Sequence, residues 1–309
     1  MSIYSPKDKK DVALIVGPTA SGKSALALEL AKKQPSVIIN ADSAQVYADL
    51  QVLSARPDEQ EMGRIDHRLY GYIDGAETCS AARWANDAKT EIASAHDHDI
   101  LPILVGGTGL YVRTLLNGIA PIPEIDSAVR EKVRQMDIAD AYAALQKEDS
   151  ASAQRLNARD SSRIMRALEV VRSSGKTMGH WHAHMAGGIA DEINLHPLVL
   201  LPPREWLYER CDRRFQNMLD NGAKEEVTAL LKRDLSDDCP IMRAIGVPEI
   251  GAWLDGEINL EEAKTRAMAA TRQYAKRQYT WFRNQCPDDW PRFQEIINND
   301  NIDDIVILL

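Results

Sequence analysis

Three short stretches of the chain carry residue types and spacings that could do chemistry. Gly17-Pro18-Thr19-Ala20-Ser21-Gly22-Lys23-Ser24 fits the phosphate-binding template G-x-x-x-x-G-K-[ST] at every fixed position. Its glycines let the backbone turn tightly, so that successive N–H groups point at an anion. The helix that follows adds its positive N-terminal end. Lys23 supplies a point charge for terminal phosphates and Ser24 a hydroxyl for a bound magnesium ion. A di- or triphosphate is the expected ligand, and the loop alone does not say what happens to it. Asp42, followed by Ser43, Ala44 and Gln45, is a carboxylate just beyond a second apolar run. It suits a general base or an outer-sphere metal partner, and equally the N-cap of a helix over Ala44–Leu50. Gly106-Gly107-Thr108 allows close backbone approach and offers a hydroxyl beside a helix start, or serves as a turn with an N-cap threonine.

The elements that must position these residues alternate. Asp11–Val16, Ser36–Asn40, Arg68–Ile73 and Asp99–Val105 read as short buried strands, and Ala25–Lys33, Ser80–Ala95 and Thr108–Leu116 as helices. Such alternation implies a mostly parallel sheet in a P-loop NTPase-like α/β core. Ligands gather outside the carboxyl ends of such strands, which places Gly17–Ser24, Asp42 and Thr108 on one rim. Prolines at 121 and 123 mark a change of texture. A charged helical insertion follows, with helices expected over Asp126–Met136, Ile138–Glu148 and Asp160–Ser174. Leu198–Leu201 returns to the sheet, and helices are expected over Trp206–Leu219, Ala223–Lys232 and Leu260–Phe282. The divisions are a core over 1–116, an insertion over 117–190, and a return to the sheet with C-terminal helices over 191–309. The tail Asn301–Leu309 is expected to pack on the core.

Composition bounds the alternatives. The 309 residues include 37 Lys and Arg against 46 Asp and Glu, a net charge of −9, which on its face disfavours a nucleic-acid partner. Binding depends on local patches, however, and the basic residues cluster twice. Arg159, Arg163 and Arg166 share one helical face, with Arg155, Arg172 and Lys176 nearby. Arg266, Arg272, Lys276, Arg277 and Arg283 are interleaved with Tyr274, Tyr279, Trp281 and Phe282. Cations with aromatic rings suit a flexible nucleic-acid strand; solvated helix faces are the plainer account of each cluster. The opening residues lack a signal-peptide core and no run reaches membrane-span length. The four cysteines (79, 211, 239 and 286) form no C-x-x-C pair, so reduced thiols and a cytoplasmic location are expected; a monomer is expected separately. His180-Trp181-His182-Ala183-His184 reads as a polar loop rather than a metal site, and His96-Asp97-His98 as the end of a helix.

One absence narrows the reaction. Ile100–Val105 runs straight into Gly106 with no strand-end carboxylate of the kind that holds magnesium in many nucleotide hydrolases. Asn-Lys-x-Asp is missing too. A simple NTPase is disfavoured, while a kinase of a nucleoside-like small molecule remains an alternative.

The phosphate loop, together with Asp42–Tyr47, Gly106–Tyr111, Arg166–Glu169, Ser174–Lys176, Arg243–Gly246 and Tyr274–Arg283, resembles the bacterial tRNA dimethylallyltransferases from about Val12 to Arg283. The resemblance implies transfer of a dimethylallyl group from dimethylallyl diphosphate to N6 of adenosine 37 in the tRNA anticodon stem-loop. It implies that Gly17–Ser24 and Arg214 hold the diphosphate with magnesium. Asp42 is then the general base, and Thr108, the second catalytic residue, contacts the target and the diphosphate. Asp42, Ser43, Ala44, Gln45, Thr108, Arg130, Ser162, Arg163, Arg166, Arg243, Gly246 and Arg277 match positions that touch tRNA. Departures fall mainly on RNA contacts: Ser162 stands where Gln is usual, Val247-Pro248-Glu249 replaces Tyr-Arg-Gln, Ala48 replaces Arg, and Leu53–Pro57 replaces Gly-Thr-Ala-Lys-Pro. Prenyl transfer breaks a carbon–oxygen bond and attacks no phosphoryl group, which makes the missing strand-end carboxylate intelligible.

Overall fold

A computed structural model describes residues 9–298 and 300–309; the leaderless opening expected at residues 1–8 lies outside them. Among the described residues six strands form one sheet: β1 (Lys10–Val16), β2 (Ser36–Asn40), β3 (Asp66–Arg68), β4 (Leu101–Gly106), β5 (Ile193–Leu200) and β6 (Arg292–Phe293). Their order is β3-β2-β4-β1-β5-β6 and every pairing is parallel. Val12 to Val16 in β1 are completely buried, as a central strand covered on both faces requires.

Register brings the predicted rim together. Val16 pairs with Gly106, and Asn40 with Val105, so β2, β4 and β1 end side by side. Asp42, Gly107 and Gly17 therefore leave the sheet as neighbours. The junction is tight: Ala41 N donates to Val105 O at 2.8 Å and Thr108 N to Ala41 O at 3.2 Å. A Cβ on Gly106 would lie 2.1 Å from the Ala41 carbonyl, so only glycine permits this approach.

Chain contacts divide the described residues into two compact units, falling within Met1–Leu115 with Ala190–Leu309, and within Leu116–Ile189. The smaller unit packs five helices (Ser127–Arg134, Ile138–Glu148, Ser150–Arg155, Ser161–Ser174 and Met178–His182) around Val133, Leu145, Ile164 and Leu168. Its two chain ends cross at an antiparallel bridge between Ile119 and Ala186, where Gly118 and Gly188 approach backbone too closely for any side chain.

In the larger unit the Leu260–Gln285 helix lies against the Arg204–Asp220 helix, and Arg272 clamps Asp212 through two hydrogen bonds of 2.6 and 2.7 Å. Phe282 is fully buried and Tyr279 donates to Leu201 O. Much of the basic–aromatic cluster is thus structural. At the C-terminus, Ile305 and Val306 of the Ile302–Val306 helix bury against Leu26, Leu30 and Ile38, as expected of the tail. Among the described residues no helix is long and apolar enough to cross a membrane.

Three local expectations are corrected. β3 stops at Arg68 because Leu69 and Gly71 adopt left-handed backbone (φ 62° and 56°), and Ile73 only bridges to Tyr47. Ala44–Leu50 forms turns and not a helix. The His180 region is a short helix, Met178–His182, because the Thr177 hydroxyl caps it by accepting from His180 N. The Ser150–Arg155 and Val247–Leu254 helices and β6 have no sequence-based counterpart.

Candidate active site

The phosphate loop sits between β1 and the Lys23–Lys33 helix, with Ala20 and Gly22 in left-handed backbone (φ 62° and 98°). A Cβ on Gly17 would lie 2.5 Å from Leu200 O, so glycine lets the loop leave the sheet beside β5. Inside the loop, Lys23 Nζ is buried and donates to Pro18 O at 2.6 Å. Burial pulls the Lys23 amine down to about 8, against an opposing pull from Asp42. The Ser21 hydroxyl is buried with no hydrogen-bond partner, a polar atom left for something the loop would enclose.

Asp42 is held by Asn40, which is fully buried at the end of β2. Asn40 Oδ1 accepts from Asp42 N at 2.8 Å, and Nδ2 donates to Asp42 O and Leu69 O, both at 3.0 Å. Trp84 Nε1 donates to the Asn40 carbonyl. Asp42 Oδ1 itself accepts from Ala44 N at 3.0 Å. Beside it, Thr108 Oγ1 accepts from Ser43 N at 2.9 Å and donates to the Ser43 hydroxyl at 3.1 Å. Arg214 arrives from the Arg204–Asp220 helix, where Nη1 donates to the Thr19 hydroxyl at 3.1 Å. Burial lowers the Arg214 pKa while Asp42 raises it. The phenols of Tyr70 and Tyr274 are raised, first by burial and then by Asp42, and so remain protonated donors.

Two adjoining cavities result. One of about 300 Å³ is lined by Ser21, Lys23, Ser24, Arg210 and Arg214. The other, of about 390 Å³, has apolar walls from Leu50, Leu53, Tyr111, Phe215 and Ile241, with Arg243 and Arg277 at its edge. Thr19, Asp42, Ser54 and Arg214 line both. The arrangement offers an anion site on one side of a carboxylate and a mainly apolar chamber on the other.

Other expected residues have different surroundings. Gln45 spends its amide on Ser54 O and Ala55 O, at 3.0 and 2.8 Å. Gly246 caps the Val247–Leu254 helix in left-handed backbone, 2.7 Å from Leu53 Cδ2 measured from the Cβ it lacks. Arg243 donates to Asp238 Oδ1 at 2.6 Å, and Arg277 stacks over the Tyr274 ring. Arg130, Ser162, Arg163 and Arg166 are exposed on the smaller unit. There Arg163 pairs with Asp160, and Arg166 with the buried Glu169.

Magnesium, which the resemblance implies, would find two oxygen donors here, the Ser24 hydroxyl and the Asp42 carboxylate lining the same cavity. Among the described residues no group of three or more His, Cys, Asp or Glu could hold a metal. Two protein oxygens suit magnesium that is otherwise coordinated by phosphate oxygens and water.

The matching family model is decisive. Residues 45–285 match the model described as IPP transferase. The chain belongs to the IPP transferase family. A tRNA dimethylallyltransferase of Erythrobacter litoralis is 59% identical over 292 residues, covering 93% of this chain and 92% of the relative. The crystal structure of a full-length tRNA isopentenylpyrophosphate transferase from Bacillus halodurans superimposes with a TM-score of 0.71 at 31% identity, covering 97% of this chain and 95% of that one. A eukaryotic dimethylallyltransferase acting on tRNA gives a TM-score of 0.75 at 29% identity, over 88% of this chain and 69% of its own. The IPP transferase match begins at residue 45, so the placement of Gly17–Ser24 and Asp42 rests on the geometry above.

Sequence reasoning missed Asn40, Gln278 and Glu226 at this IPP transferase site. Glu226 collects three backbone donors of the loop walling the apolar chamber, from Gln51, Val52 and Leu53 at 2.5, 2.8 and 2.9 Å. Glu226→Ala leaves those N–H groups without an acceptor and should cost roughly 1–3 kcal/mol, read as a lower urea midpoint at unchanged slope.

Proposed function

We propose that the protein transfers a dimethylallyl group from dimethylallyl diphosphate to N6 of adenosine 37 in the tRNA anticodon stem-loop. One observation carries the reading. The phosphate-loop cavity and the apolar chamber meet at Thr19, Asp42, Ser54 and Arg214, which puts an anion site and an apolar chamber on either side of one carboxylate. The names of the relatives agree with it.

In this reading backbone N–H groups of the Gly17–Ser24 loop beyond Thr19, whose own N–H is taken by Gln278, hold the diphosphate together with Lys23 and Arg214. The exocyclic nitrogen attacks the prenyl carbon bearing the diphosphate; a carbon–nitrogen bond forms as the carbon–oxygen bond breaks. The electron pair of the broken bond leaves on the diphosphate, and the N6 proton passes to the Asp42 carboxylate. Bound beside Ser24, magnesium would neutralise charge on the leaving group. Lys23 and Arg214 meet the same growing charge inside a site that excludes much of the water. Thr108 and Ser43 orient the base, which must leave its stack to enter the chamber. Arg243 and Arg277 meet nucleic-acid phosphates at the chamber edge, and Arg130, Ser162, Arg163 and Arg166 grip the stem. A cytoplasmic monomer is the proposed working form; the four unpaired cysteines bear on the compartment alone.

The direct test combines the protein, magnesium, dimethylallyl diphosphate and unmodified tRNA. Digestion should yield N6-dimethylallyladenosine by mass. Folded protein that yields none with a cognate tRNA overturns the reading, and phosphoryl transfer from ATP to a nucleoside-like metabolite would replace it with a kinase.

A further inference from the structure

Gln278 lies far from every motif of the phosphate loop, yet its side chain touches both halves of the site. It projects from the Leu260–Gln285 helix and is 5% exposed. Its Oε1 accepts from Thr19 N at 2.8 Å, and its Nε2 donates to Gly107 O at 2.9 Å. A backbone N–H can only donate and a carbonyl only accept, so these two partners fix which way the amide faces. Among side chains of this size that carry no titratable group, only glutamine offers one acceptor and one donor in that geometry. Glutamate would set a second carboxylate oxygen against the Gly107 carbonyl, and methionine would satisfy neither partner.

The two partners belong to different functions. Thr19 lines both cavities, and its hydroxyl is held by Arg214. Gly107 precedes Thr108, and a Cβ placed on it would come within 3.1 Å of Asp42 Oδ2. The same helical face continues the contact in both directions. Tyr274, one turn earlier, lies beside Thr108 and Gln278. Trp281 covers Gly109 so closely that a Cβ there would fall 2.3 Å from its ring.

We propose that Gln278 is a positioning residue that sets the spacing between the diphosphate-holding loop and the Asp42–Thr108 edge, so that nucleophile, carbon and leaving group fall in line. The inference rests on the prenyl-transfer reading for its kinetic consequences. In-line displacement at carbon is sensitive to alignment, and a misplacement of about 1 Å can cost about 10²-fold in rate. Substrate affinity depends mainly on contacts that Gln278 does not make. Its loss should therefore appear in kcat more than in KM.

The experiment compares wild type with Gln278→Met and Gln278→Glu. Both variants should bind dimethylallyl diphosphate and tRNA with KM values within about threefold of wild type, while single-turnover kcat falls roughly 10²-fold. A lowered melting temperature with kcat within twofold of wild type, per folded enzyme, would make Gln278 a packing residue only and overturn the proposal. A rise in KM for dimethylallyl diphosphate at constant kcat would confine it to bracing the loop, and overturns it equally. A second readout needs no turnover. Inorganic diphosphate with magnesium should slow hydrogen–deuterium exchange in both the 17–24 and 107–111 segments of wild type. In Gln278→Met it should slow only the 17–24 segment. Protection of both segments in the variant would show that the two edges are coupled without Gln278. Should wild type form no prenylated tRNA, the functional reading fails, and the exchange measurement still decides whether Gln278 links the two edges.

Discussion

Asp42→Asn should reduce turnover by about 10²–10⁴-fold while tRNA binding stays within about twofold of wild type. The substitution keeps the shape of the side chain and an oxygen for the hydrogen bond from Ala44 N. Asn40 holds the backbone of residue 42 from either side, so the loop should not move. What disappears is the proton acceptor and a negative charge. That charge opposes the burial effect on Lys23 and Arg214, so both cations should become easier to deprotonate in the variant. Single-turnover prenylation and filter binding of tRNA measure the two quantities separately. Unchanged turnover would remove Asp42 from the proton-transfer role.

Lys23→Met should lower kcat/KM for dimethylallyl diphosphate roughly 10²–10³-fold, because a charge aimed at the leaving group is removed from a site sheltered from water. Its pH dependence has two opposite signs. Burial holds Lys23 near 8 against an ordinary 10.5, so between these values the unfolded chain binds the extra proton. Folding stability contributed by this group therefore rises with pH through that window, and the cost of burying the charge is fully present below it. Diphosphate binding requires the ammonium form and should weaken as pH rises through about 8. The difference between wild type and Lys23→Met, in thermal melts and in inorganic-diphosphate titrations from pH 7 to 10, isolates Lys23 from other groups that titrate there. Parallel pH profiles for the two proteins would show that the loop lysine does not carry the charge of binding.

The legible parts of the site are those written locally. Gly17–Ser24 needs only its own spacing, and Asp42 and Thr108 betray themselves as polar residues just past apolar strands. Alternation of strands and helices likewise suffices for a parallel α/β core, though not for the order β3-β2-β4-β1-β5-β6, which depends on pairings between distant segments. Gln278 shows why other residues stay hidden: its partners are 259 and 171 positions away. Glu226 reaches donors 173 to 175 positions away. In sequence each is one more polar residue on a helix. Tyr70 and Ile73 mislead in the opposite direction. Their apolar run reads as strand, and two left-handed residues at 69 and 71 decide otherwise. Asn40 was within reach, since an amide that ends a Val-Ile-Ile run is an unusual buried group.

The joined ends of β2, β4 and β1 divide the site into a fixed wall and a movable one. Neighbouring strands lie about 4.8 Å apart, so the backbone where β2, β4 and β1 end keeps one spacing, while Thr19, two residues beyond Gly17, is tied back to Gly107 through Gln278. Arg214, Arg277 and the Glu226-bound loop reach the same space from helices and turns outside the sheet. In the proposed reaction, entry of the base and exit of diphosphate would be accommodated by that outer wall. A temperature- or viscosity-dependent release step would report on those helices and that loop, while the sheet acts as the stationary frame against which they move.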